Sequence, residues 1–127
     1  MQLQLNAEVV TIPNDGNVIF DTIVSSLSPV ISYNSVSGEI TITENGIYYI
    51  NWWIGADGST VAPFILFSIV VSDGTEISSA TPIQSDNMSG NALLNITTAP
   101  VTLSLVNKTG NYIFLGGLVK ADITIIH

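Results

Sequence analysis

One histidine, His127, and ten carboxylates are the side chains of this 127-residue sequence with acid–base chemistry to offer near neutral pH, and there is no cysteine. A single histidine at the last position cannot complete a Ser-His-Asp or Cys-His relay, nor a site built on several histidine ligands. His127 is therefore expected to be an inert, frayed terminal residue. Thiol catalysis, iron–sulfur clusters, zinc ribbons and disulfide scaffolds are excluded by the absence of cysteine. Asp57, Asp73, Glu76 and Asp86 could meet in space as an acid–base pair. However, Asp57 and Asp73 each precede a glycine, where a turn already accounts for the aspartate. There is no Asp-x-Asp-x-Asp run and no loop with clustered acids, so no metal is expected; Asp15, Asp57, Asp73 and Asp86 are the positions to inspect for calcium. The residues point to a protein that is not an enzyme, with no catalytic residues and no cofactor.

The elements around these residues must cover a surface almost without charge. Charged types make up 9% of the chain and apolar types 46%, whereas an ordinary soluble domain is about 25% charged. The solvated positions fall to 11 Asn, 14 Ser and 12 Thr. Such a surface suits a protein that hides area against copies of itself. Only Lys108 and Lys120 are basic and the net charge is −8, so phosphate backbones would be repelled and nucleic-acid binding is excluded. The triplets Asn87-Met88-Ser89, Asn95-Ile96-Thr97 and Asn107-Lys108-Thr109 have the glycosylation pattern, but arise readily in so Asn-, Ser- and Thr-rich a chain.

The first residues show no basic region followed by an apolar run, so no signal peptide is read. The longest apolar stretch, 64–71, is far shorter than the roughly 20 residues of a spanning helix, and membrane insertion is not expected. The length fits one domain, 1–127, able to bury roughly two-thirds of its unfolded surface.

No window repeats apolar residues at helical spacing, while Val, Ile, Thr and aromatics fill the ordered segments. Asp15-Gly16, Asn45-Gly46, Asp57-Gly58 and Asp73-Gly74 read as tight reversals between antiparallel strands. About ten strands are expected, near 7–12, 18–24, 30–33, 39–42, 47–56, 64–72, 76–84, 91–97, 101–107, 113–115 and 119–126. That pattern describes an all-β antiparallel sandwich or jelly roll.

Alternation through Ile47-Tyr48-Tyr49-Ile50-Asn51-Trp52-Trp53-Ile54 places Tyr48, Ile50, Trp52 and Ile54 on one face, and Ile47, Tyr49, Asn51 and Trp53 on the other. Both faces are aromatic, yet a sandwich strand buries only one in the core. Either a long loop of the same chain covers Tyr49 and Trp53, or a second subunit does. The scarcity of charge favours the subunit.

Three stretches together resemble the C1q/tumour-necrosis-factor-like jelly-roll family, most closely the C-terminal domains of BclA-type bacterial collagen-like exosporium glycoproteins. They are Val18-Ile19-Phe20-Asp21 with Ile31-Ser32-Tyr33-Asn34 and Ser37-Gly38-Glu39-Ile40-Thr41-Ile42; Asn45-Gly46-Ile47-Tyr48-Tyr49-Ile50; and Val101 to Asn107 with Ile113 to Gly117 and Ala121 to Ile126. Phe114-Leu115-Gly116-Gly117-Leu118 departs from the vertebrate Phe-Ser-Gly-Phe ending. The resemblance implies a compact homotrimer at the end of a collagen-like stalk, although no Gly-X-Y repeat is present.

By that resemblance Tyr49 and Trp53 lie toward the three-fold axis, joined by Thr102, Ser104 and Ile126. The implied role is a non-catalytic trimerisation and surface-display domain, extracellular on the bacterial spore surface (exosporium), mediating assembly and attachment. The alternative is the receptor- or glycan-binding head of an adhesin or phage fibre. Its partner would be a host receptor or glycan, met by exposed loop residues near Asp57, Asp86 and Asn111.

Overall fold

The computed structural model describes residues 1–57, 64–82 and 87–127. Twelve strands run through them: β1 (Gln2–Leu5), β2 (Val10–Ile12), β3 (Thr22–Ser25), β4 (Ile31–Tyr33), β5 (Ile40–Ile42), β6 (Gly46–Gly55), β7 (Ile65–Val71), β8 (Glu76–Thr81), β9 (Asn87–Ile96), β10 (Val101–Asn107), β11 (Ile113–Leu115) and β12 (Ala121–Ile126). All pairings are antiparallel. One sheet has the order β3-β1-β12-β6-β9, a second has β4-β5-β10-β7-β8, and β11 pairs with β2 in a short ribbon.

Leaving aside the short β2, β3, β4 and β11, the first strand lies beside the last, and consecutive long strands mostly alternate between the two sheets. This is the winding of a jelly roll, in which a long hairpin is rolled up until its ends meet. It also explains why some turn-like dipeptides close no hairpin. Asp73-Gly74 does turn β7 into β8, with the Gly74 N–H donating to the Val71 carbonyl (3.0 Å) and the Thr75 N–H to Asp73 Oδ1 (2.9 Å). Asn45-Gly46, by contrast, leads from β5 into the opposite sheet, and Asn45 Oδ1 accepts from the Ala99 N–H (2.8 Å) across the loop.

The core between the sheets is a single cluster built mostly from the inward positions of both, joined by Val18 and Phe20 from the segment before β3. Trp52, Tyr48, Phe20 and Phe67 are its largest members, each at most 1% exposed, and burying a side chain of that size stabilises the fold by about 1.5–3 kcal/mol. Trp52 fits because Gly90 lies opposite it on β9: a Cβ there would sit 2.6 Å from the indole ring.

The sequence reading changes at both ends of the chain. Strand β1 was not anticipated, although Gln2-Leu3-Gln4-Leu5 alternates polar and apolar residues; Leu3 and Leu5 enter the core while β1 pairs with β12. The segment 7–12 keeps only Val10–Ile12 as strand. His127, expected to fray, instead stacks on Tyr48 with ring centroids 4.4 Å apart and planes 9° from parallel.

Candidate assembly face and loop end

Every second residue of β12, β6 and β9 points away from the core, and the register aligns these residues in rows. One row is Ile126–Tyr49–Leu93, with Ile47 beside it opposite Asn95; the next is Thr124–Asn51–Asn91, and the third is Asp122–Trp53–Ser89. Ile126 is 59% exposed, Tyr49 41% and Leu93 70%. The first row is thus an apolar band on the outside of a sheet whose inner side is already core. Trp53 is half-buried and borders, with Asn87, Met88 and Ser89, a depression of about 290 Å³.

Asp122 is the one buried carboxylate on this face. Its Oδ2 accepts from Gln2 Nε2 (2.8 Å) and Gln4 Nε2 (2.9 Å), and Thr124 Oγ1 donates more weakly to Oδ1 (3.4 Å). The two glutamines of β1 thereby supply the hydrogen bonds a buried carboxylate requires.

Thr102 and Ser104, expected to join Tyr49 and Trp53, are on β10 in the other sheet. They point to its outer side, away from the apolar band, so one flat contact cannot contain both sets. The cause lies in topology rather than register: β10 follows β9 in sequence but crosses the sandwich. Ile47, which alternation puts on the same face as Tyr49, joins the band, and so does Leu93, which the sequence reading does not include; the paired Leu93-Leu94 carries its signal, since alternation must expose one of them.

At the far end of the sandwich from Ile126, Asp57 is exposed just beyond β6 and Asn111 is partly covered just before β11. The Asn111 carbonyl accepts from Asn107 Nδ2 (2.8 Å) and its own Oδ1 accepts from the Tyr112 N–H (2.8 Å), so its polar atoms serve the loop. Asp86 lies outside the described residues. Asn107 of the third glycosylation-type triplet is fully buried, and its amide also donates to the Ile12 carbonyl (3.0 Å), making it an internal clamp.

Among the described residues no group of three or more His, Asp or Glu side chains is placed to hold a metal ion. Asp15 is engaged with Lys108 (3.1 Å), and the Asp73 carboxylate is held below the ordinary aspartate range by the Thr75 backbone N–H and then its hydroxyl.

No protein-family model matches the sequence, and no curated protein matches it. Solved structures do match. The TNF protein Eiger from S. frugiperda superposes with a TM-score of 0.68 at 15% identity, covering 98% of this chain and 88% of that one. The PRD1 vertex protein P5 gives 0.62 at 16% identity, over 98% and 94% of the two chains. Rabbit GITRL gives 0.52 at 16% identity, over 76% and 77%.

The fold is the TNF-like jelly roll. At such identities the likeness is one of fold, and the jelly roll brings the strand order and the two faces without a ligand or a role.

Proposed function

We propose that this jelly roll is a non-catalytic trimerisation and surface-display domain of a collagen-like spore-surface (exosporium) glycoprotein, mediating assembly and attachment. The observation that carries the assembly is the apolar band Ile126–Tyr49–Leu93 with Ile47, exposed on the outer side of one sheet. Monomeric proteins rarely leave such a contiguous band in water, and interface cores are enriched in aromatic and aliphatic groups. Three copies placing these bands around a common axis would bury them and leave the Asn- and Ser-rich loops outside. The C1q/TNF-like resemblance of the sequence supports three as the number, and its BclA-like motifs support the spore surface.

The Ile125 N–H donates to the Met1 carbonyl (2.8 Å) at the end opposite Asp57 and Asn111. A stalk joined before Met1 would therefore hold that far end outward for display. Light scattering across a dilution series tests the assembly: a mass near three times the 13.5 kDa chain, resistant to dilution, is expected. A monomer would remove the trimer and the trimerisation role with it.

A further inference from the structure

The ribbon of β2 and β11 closes over the loop end of the sandwich and leaves a cleft of about 340 Å³ walled by Glu8, Asp57, Phe114, Gly116, Gly117 and Lys120. Its frame is held by backbone hydrogen bonds from four segments. The Lys120 N–H donates to the Leu5 carbonyl (2.8 Å), the Gly55 N–H to Lys120 (2.9 Å), the Gly116 N–H to Gly55 (2.8 Å) and the Asp57 N–H to Phe114 (2.7 Å). A Cβ on Gly116 would come within 3.0 Å of Asp57 Cβ, so the missing side chain is what lets Asp57 lie against this strand.

Lys120 is the unusual member. Lysines are almost never fully buried without a charged partner, yet Lys120 is only 5% exposed and its ammonium donates to the Gly117 carbonyl at 2.7 Å. The ion pair found among the described residues is Lys108–Asp15, so Asp57 and Glu8 share the cleft wall with Lys120 without closing on it. An ammonium has three N–H donors and a carboxylate accepts only. Donors and acceptors of one cleft are thus held apart by a gap that a group able both to accept and to donate would fill. Phe114, 39% exposed, adds an apolar platform, its ring fixed edge-to-face against Tyr112 at 5.2 Å and 70°.

We propose that this cleft binds a neutral carbohydrate through a pair of adjacent hydroxyls. The hydroxyl oxygens accept from Lys120, their protons go to Asp57 and Glu8, and the C–H face of the ring lies on Phe114. A metal ion is disfavoured by the ammonium within the same wall. An acidic sugar is disfavoured by the net charge of −8 and by the two carboxylates. Every contact comes from one chain, so the site stands whether or not the domain is trimeric.

The test is an array of immobilised neutral and sialylated oligosaccharides probed with the full chain, followed by titration calorimetry with the methyl glycoside of the retained terminal sugar and its single-deoxy analogues. Neutral sugars should be retained. Asp57→Asn, Phe114→Ala and loss of either adjacent hydroxyl should each weaken binding roughly tenfold or more, with the circular dichroism spectrum unchanged. Lys120→Met, which keeps the stem, should do the same; if it fails to fold, the two exposed variants decide. Retention of no sugar, retention of sialylated glycans alone, or wild-type affinity in Asp57→Asn and Phe114→Ala would each overturn the assignment.

Discussion

The two outer faces of the sandwich have the same geometry and opposite chemistry. On the β4-β5-β10-β7-β8 sheet the outward positions include Ser32, Thr41, Thr102, Ser104, Ser68 and Ser78, and none of the large exposed apolar side chains lies on its strands. On the β3-β1-β12-β6-β9 sheet the outward positions hold Ile47, Tyr49, Leu93 and Ile126, all more than 40% exposed. Hydroxyls find partners in water or in one another: Ser68, which is fully buried, bonds Ser78 at 2.7 Å. The apolar band has no such recourse. A chain that covers one face with small hydroxyls has the means to cover both, and it is on this difference that the proposed assembly rests.

The largest test of that contrast is a pair of charge insertions. Tyr49→Asp or Leu93→Asp should reduce the solution mass from three chains to one, because three carboxylates would be buried together at the axis. Thr102→Asp, on the hydroxyl face, should leave the mass unchanged; equal effects from both faces would erase the distinction. Trp53→Asp should also dissolve the trimer, but it places a carboxylate directly opposite Asp122 and so adds repulsion within one chain. A second test compares neighbours on one strand. Trp52→Ala should lower unfolding stability by about 3–5 kcal/mol in urea titrations, since its indole fills the core against Phe67. Trp53→Ala should cost much less in the separated chain and act mainly on assembly.

Sequence reasoning reached the all-β class, the two aromatic faces of β6 and most strand positions, because alternation and turn residues are local signals. It failed where the third dimension decides. Thr102 and Ser104 alternate like the residues of β6, and nothing in their own segment says which sheet receives them. Lys120 reads as an ordinary surface cation next to Gly116-Gly117-Leu118-Val119; only the folded ribbon buries it and brings Asp57 and Phe114 alongside. Asp122 likewise gives no hint of its glutamine partners, which are 118 and 120 residues away. Strand β1 is only four residues long, and the alternation of Gln2-Leu3-Gln4-Leu5 is too brief to stand out without its partner β12.

A smaller effect separates the polar devices of the two faces. Asp122→Ala removes the acceptor for Gln2 and Gln4 under partial cover, and should cost about 1–3 kcal/mol in the same urea titrations. Ser68→Ala breaks only the hydroxyl pair with Ser78 and should cost about 0.5–1.5 kcal/mol. A reversed order would mean that the carboxylate is dispensable in the chain itself.

The smallest effect is silent at neutral pH and involves one tyrosine from each sheet. Burial first, and the charge of Glu44 second, push the Tyr48 hydroxyl above the ordinary tyrosine value of 10.0, and it donates to the Glu44 carbonyl at 2.8 Å. Tyr33, which donates to the Phe20 carbonyl, is raised chiefly by burial, with the charge of Asp21 adding to the rise. In the unfolded chain both lose their protons near pH 10, before the folded protein does. Their contribution to stability is therefore complete below that value and falls as pH rises toward the higher folded values. Unfolding midpoints measured at one chain concentration should hold steady from pH 8 to about 9.5 and then decline, and Tyr48→Phe and Tyr33→Phe should each flatten the decline. Tyr48 lies on β6 beneath His127, and Tyr33 on the short edge strand β4. A decline that either variant leaves unchanged would show that its hydroxyl meets water in the folded protein as it does in the unfolded chain.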